Sequence, residues 1–156
     1  MPNLIEGSLT APEGARFAVI VSRWNALVTD RLGEAAVETL RRCGASDDAI
    51  DLVKVPGSYE LGVAAEAAAG GGKYAAVICL GAVIQGDTDH DRYINGAVAS
   101  GLMSAGQKHG LPVAFGLLTC GTLEQALNRA GGKVGNKGEE AALAALETLN
   151  VLVRLR

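Results

Sequence analysis

A chain of 156 residues, 49% of them hydrophobic, is long enough to bury one sizeable core and too apolar to stay disordered. A formal charge of −3 without any basic run excludes the footprint of a nucleic-acid binder. No apolar stretch reaches the roughly 20 residues of a membrane helix, and the N-terminus lacks a basic-then-apolar signal. Cys43, Cys79 and Cys120 are odd in number and form no CxxC pair, which fits reduced thiols in a cytoplasmic protein.

Residues 1–14 precede the first strand and read as an arm, either mobile or lent to a neighbour as an edge strand. Phe17 to Val21 is a first buried strand. Asn25 or Thr29 caps a helix with the apolar stripe Val28, Leu32, Ala36 and Leu40, stopped at Gly44. Ile50 to Val55 is a second strand, closed by Pro56-Gly57, and an Ala-rich helix runs from Tyr59 to Ala69. Ala75 to Leu80 is a continuous apolar run, the mark of a strand buried on both faces. It breaks at Gly86-Asp87-Thr88-Asp89-His90, and a helix follows from about Asp91 to Lys108, with His109 in its last turn. Val113 to Leu118 is a fourth strand. A short helix from Leu123 to Arg129, a loop from Gly131 to Gly135 and a final helix from about Asn136 to Leu152 complete the chain. Four strand–helix units with short connections predict an α/β fold, a doubly wound parallel four-stranded sheet with right-handed crossovers.

In such a sheet ligands bind beyond the carboxyl ends of the strands. Each junction there carries chemistry. Trp24, the only tryptophan, sits in a loop, as an interface aromatic or as a stacking platform for a planar heterocycle. Glu60 can complement a helix dipole or accept hydrogen bonds from ligand hydroxyls. The loop before His90 is an anion cradle beside a side chain that titrates near neutrality. Asp89 and Asp91 favour imidazolium there and the helix N-terminus opposes it. Thr119 and Thr122 read as helix caps, and Arg129 and Lys137 flank the last loop as surface charge or anion ligands. Neither GxxxxGK[ST] nor GxGxxG occurs, so neither ATP nor a dinucleotide is suggested.

VPGSYE, LGAVIQGDTDH, FGLLTC and LEQALNRAGGKVGNKGEEAALAALE, in that order, make the chain resemble the lumazine synthase family over nearly its whole length. The resemblance implies a single domain over 1–156 with a flavodoxin-like three-layer αβα fold. It also implies a reaction of riboflavin biosynthesis, without metal or organic cofactor. There, 5-amino-6-(D-ribitylamino)uracil condenses with 3,4-dihydroxy-2-butanone 4-phosphate to 6,7-dimethyl-8-ribityllumazine. By the same resemblance Trp24 stacks on the pyrimidine. Ser58, Tyr59 and Glu60 bind the ribitylaminouracil, and Ala82, Val83 and Ile84 read its edge through the backbone. Asp87, Thr88 and Arg129 hold the phosphate, His90 transfers protons, Lys137 lies near the pocket, and Phe115 closes a neighbour's pocket. A pentamer is implied, with small residues Ala97, Ala99, Gly101 and Ala105 packed around its axis. Twelve pentamers forming a sixty-subunit icosahedral shell, with riboflavin synthase as cargo, follow from GGKVGNKG. Gln85 stands where many relatives carry arginine, and Asp89, Asp91 and Gly62 also depart from the common pattern. The alternatives are an archaeal-type riboflavin synthase and a non-catalytic or engineered shell-forming protein on the same fold.

Overall fold

The computed structural model describes residues 1–156. β1 (Phe17–Ser22) is buried at all six positions because helices cover both its faces and strands flank both its edges. β2 (Ile50–Val55), β3 (Ala76–Ile84) and β4 (Val113–Cys120) join it in the order β2-β1-β3-β4, all parallel, as the apolar runs predict. β3 outruns β1: their pairing stops at Val21 opposite Leu80, whereas β3 stays paired with β4 as far as Ile84 opposite Cys120. Residues of β3 beyond Leu80 therefore leave one backbone edge open at the carboxyl end of the sheet.

α1 (Ala26–Arg42) and α5 (Lys137–Leu155) cover one face, with Leu32, Leu40, Ala142 and Leu146 packed on Val19, Ile78 and Leu80. α2 (Leu61–Gly70) and α3 (His90–His109) cover the other, over Ile20, Val77 and Cys79. This second layer is thinner, 11 buried residues against 20, and leaves Val63, Met103 and Phe115 exposed. No helix is long and apolar enough to cross a membrane.

Several boundaries differ from the sequence pattern. Residues Ser58–Glu60 form a separate 3-10 turn ahead of α2. α4 (Leu123–Asn128) is followed not by a loop but by a hairpin of β5 (Ala130–Gly132) and β6 (Gly135–Asn136), with left-handed Gly131 and Gly135 permitting the tight reversal. Of the small residues on α3, Ala97 and Ala99 face solvent. Ala105 is buried in its own core, and Gly101 turns toward Gly62 of α2, so these two serve packing within the chain. The arm contains no strand. Its residues 6–10 lie on α5, where Asn150 Nδ2 donates to Ser8 O (2.8 Å) and Thr10 O (2.9 Å) and Arg154 Nη1 donates to Glu6 O (3.1 Å).

Candidate active site

The four strand ends come together through a few specific contacts. The backbone N–H groups of Arg23 and Trp24 donate to Val55 O (2.8 Å) and Pro56 O (3.0 Å), which fastens the β1–α1 loop to the end of β2. Trp24 is 65% exposed, and the edge of its indole leans on Gly57: a Cβ there would lie 2.4 Å from Trp24 Cε3. Gly57 N–H donates to Glu60 Oε2 (3.1 Å), so in the free protein the Glu60 carboxylate caps its own turn. Ser58 is buried and its hydroxyl reaches over Gly81 of β3, 2.6 Å from where a Cβ would stand. Tyr59 is exposed and lines a surface depression with Glu60, Gly62, Val63 and Ala97, beside the strand ends rather than between them.

On β3, Ala82 accepts a 2.8 Å hydrogen bond from Asn25 Nδ2, and Gln85 N–H donates to Cys120 O (2.8 Å) at the end of β4. Val83 and Ile84 are half-buried; the backbone of Val83 faces β4, and that of Ile84 the open edge. Asp87, Thr88 and His90 stand exposed at the start of α3. The neighbouring Asp91 turns inward, and its Oδ1 and that of Asn95 are buried without a hydrogen-bond partner. After β4, Thr122 takes the capping role read from the sequence: its hydroxyl accepts from Gln125 N–H (3.2 Å), while Gln125 Oε1 accepts from Gly121 N–H (2.8 Å). Arg129 lies close enough to β4 for its charge to pull the Cys120 thiol pKa down, although burial, the larger influence, pushes it up. Its guanidinium meets Glu140 Oε2 at 3.2 Å. Lys137 opens α5 next to it, its backbone N–H donating to Arg129 O (2.8 Å).

One chain thus gathers Trp24, Ser58, Glu60, Ala82, Val83 and Ile84 on a common shelf. Asp87, Thr88, His90, Arg129 and Lys137 stand at the same end of the sheet. Phe115 is not among them: it lies mid-strand on β4 opposite Cys79, 42% exposed on the outer face. Nothing in the sequence marks Glu140, because an acid in a first helical turn reads as a dipole partner. From sequence alone Asn25 reads only as a cap. Chemically, the shelf offers an aromatic plane beside a backbone edge, with hydroxyl and carboxylate groups to one side and a guanidinium to the other. It is an open surface: none of the four depressions in the chain is lined by Trp24, His90 or Arg129.

The sequence pattern of the 6,7-dimethyl-8-ribityllumazine synthase family matches residues 14–153. The chain is similar to "6,7-dimethyl-8-ribityllumazine synthase, chloroplastic" of Spinacia oleracea, with 50% identity over 143 residues, 92% of this chain and 64% of that protein. It is similar to the protein of the same name from Arabidopsis thaliana, with 49% identity over 143 residues, 92% of this chain and 63% of the other. The chain therefore spans a little under two thirds of the length of these curated relatives. With a match that takes in every strand and every junction on the shelf, the chain belongs to the 6,7-dimethyl-8-ribityllumazine synthase family.

Proposed function

We propose that this chain, as one domain, condenses 5-amino-6-(D-ribitylamino)uracil with 3,4-dihydroxy-2-butanone 4-phosphate to 6,7-dimethyl-8-ribityllumazine. The observation that carries the reading is the family match over residues 14–153, which includes all the residues assigned below. The uracil 5-amine attacks the ketone and loses water to give an imine. Proton removal expels phosphate, and the ribityl-bearing nitrogen closes the ring with loss of a second water. The substrate brings its own amine, so no protein nucleophile is required. Holding two substrates together supplies most of the acceleration. Trp24 stacks on the pyrimidine while Ala82, Val83 and Ile84 meet its polar edge. Ser58, Tyr59 and Glu60 take the ribityl chain, with Glu60 released from Gly57. Arg129, Asp87 and Thr88 bind the phosphate, the planar guanidinium exchanging Glu140 for it. Lys137 adds positive charge beside them. His90 relays protons, a role that typically brings about 10²–10⁴-fold, here at the lower end because the substrates are intrinsically reactive.

Phe115 completes the pocket of an adjacent subunit in a pentamer. The open shelf of a single chain and the exposed Val63, Met103 and Phe115 support this arrangement. Twelve such pentamers close into a sixty-subunit shell able to enclose riboflavin synthase, the tight β5–β6 hairpin at GGKVGNKG being the supporting feature. Three free cysteines support a reducing compartment, for which we propose the cytoplasm. The test is turnover with both substrates, following lumazine absorbance and released phosphate. Both products should appear together, and His90→Ala should slow them without stopping them. Riboflavin formed from lumazine alone would instead identify a riboflavin synthase, and no product at all a shell protein.

A further inference from the structure

We infer that Asn25 is a positioning residue that sets the spacing between the Trp24 ring and the open edge of β3. The inference rests on the proposed reading, in which a planar pyrimidine lies against Trp24 and meets that edge. Asn25 stands at the N-cap of α1, where a side chain normally accepts a hydrogen bond from the first turn and the backbone is extended. Neither holds. Asn25 has φ 64° and ψ 42°, the only non-glycine residue of the chain in the left-handed region, and its side chain makes no capping bond. Its backbone carbonyl accepts the regular first helical bond from Thr29 N–H and also takes Val28 N–H, which a capping side chain would serve, at 2.9 Å each. The side chain is thereby free to cross to the sheet, where Nδ2 donates to Ala82 O at 2.8 Å, 57 residues away in sequence. Asparagine tolerates the left-handed conformation better than most residues, but tolerance alone does not aim its amide. A left-handed backbone combined with a long-range bond is what a tether requires.

The place of that bond gives it a function. β1 stops pairing with β3 at Leu80, so the Ala82 carbonyl would otherwise be an unpaired acceptor on the open edge. Asn25 occupies it and leaves the backbone of Ile84, which faces the same side as Ala82, to present the edge to a ligand, while that of Val83 is turned to β4. Trp24 is the next residue back along the chain. Its other anchors, Trp24 N–H on Pro56 O and the indole on Gly57, all belong to the β2 side. Asn25 is the side-chain link from this loop to β3. Without it the ring and the edge belong to two parts of the sheet end that can move apart, and a ligand gripping both loses its geometry. The consequence falls on the planar substrate and not on the phosphate-bearing one: the loop of Asp87 and Thr88 is fixed to β4 by Gln85 N–H on Cys120 O, and Arg129 follows α4.

Two variants separate the tether from the backbone strain. Asn25→Asp keeps size and shape, but an ionised carboxylate cannot donate to Ala82 O. Asn25→Gly removes the amide and accepts the left-handed backbone freely. In the assembled protein each should raise the KM for the ribitylaminouracil by roughly threefold to tenfold, the worth of one lost hydrogen bond. The KM for the phosphate substrate and kcat should change less than twofold. Trp24 is the only tryptophan, so fluorescence anisotropy and near-ultraviolet circular dichroism report this ring directly. Both signals should fall in the two variants. Unchanged anisotropy in both, or equal KM changes for both substrates, overturns the assignment. If the unsubstituted protein turns nothing over, the proposed function fails, and the anisotropy alone decides whether Asn25 holds the ring.

Discussion

Arg129 is already engaged in the free protein, 3.2 Å from Glu140 with both side chains substantially exposed, and an exposed ion pair of this kind contributes little stability. That makes the guanidinium available at small cost to a phosphate. Removing it should cost a charge-assisted contact of about 1.5–3 kcal/mol, or roughly tenfold to a hundredfold in affinity for the phosphate-bearing substrate. We expect Arg129→Ala to raise that KM alone. Initial rates with each substrate varied in turn would show it, and equal weakening of both would remove Arg129 from the phosphate site. No arginine stands in residues 81–91, the segment that carries the proposed phosphate ligands Asp87 and Thr88. Cys79 illustrates the opposite case: fully buried, its thiol pKa is pushed up to about 12 by desolvation, so it fills the core and takes no part in chemistry at neutral pH.

The start of α5 shows how closely the helices around the site are seated. Asn136 Oδ1 accepts from Gly138 N–H (2.8 Å) and Glu139 N–H (3.3 Å), while its Nδ2 donates to Arg31 O of α1 (3.3 Å). Gly138 lies against the backbone of α1, where a Cβ would stand 2.0 Å from Leu32 O. Asn136→Ala should lose about 1 kcal/mol as a missing cap. Gly138→Ala should lose more, in the range of roughly 1–3 kcal/mol for overpacking, because the neighbour is a carbonyl of a helix rather than a flexible side chain. Urea unfolding at one fixed protein concentration measures both, and a Gly138→Ala protein as stable as the parent contradicts the close approach. Lys137 precedes Gly138 and its N–H holds Arg129 O (2.8 Å), so the seating of α5 also decides where Arg129, a proposed phosphate ligand, stands.

At the scale of the whole molecule, the end of the sheet opposite the site is tied by charge. Asp51 of β2 accepts from Lys73 Nζ (2.6 Å) and Tyr74 Oη (2.5 Å) just before β3, with Arg16 Nη2, just before β1, 3.7 Å away. The Lys73 bond first, and then the Tyr74 bond, lower the Asp51 pKa from 3.8 to about 2. A carboxylate whose pKa falls on folding stabilises the protein above its unfolded value, and that contribution disappears as pH drops from 3.8 toward about 2. Asp51→Asn should therefore lose less stability over that interval. Thermal midpoints measured against pH would show a shallower acid limb, and superimposable limbs would refute the role. The proposed assembly is tested by light scattering on fresh protein: a pentamer or larger mass is expected, a stable pentamer mass rules out the shell, and a monomer at micromolar concentration rules out both.

The sequence by itself determined the layered sheet. Phe17 to Val21 and Ala75 to Leu80 are apolar at every position, and only a strand covered on both faces buries every side chain. It also pointed to the strand ends, because Trp24, Glu60 and His90 all follow strands at loops, and motif resemblance supplies the roles proposed for them. The sequence was mute where an outcome depends on a distant partner. Asn25 reads locally as a helix cap, and only the proximity of the Ala82 carbonyl, brought near by strand order, turns its amide toward β3. Glu140 reads as a first-turn acid until the hairpin returns Arg129 to it. Gly101 and Ala105 look alike with the neighbouring Ala97 and Ala99, yet packing of α2 and the sheet under α3 buries only one side of that helix. Local periodicity encodes which residues leave water; which group each polar side chain meets is decided by the chain path between them, and that exists only once the sheet has closed.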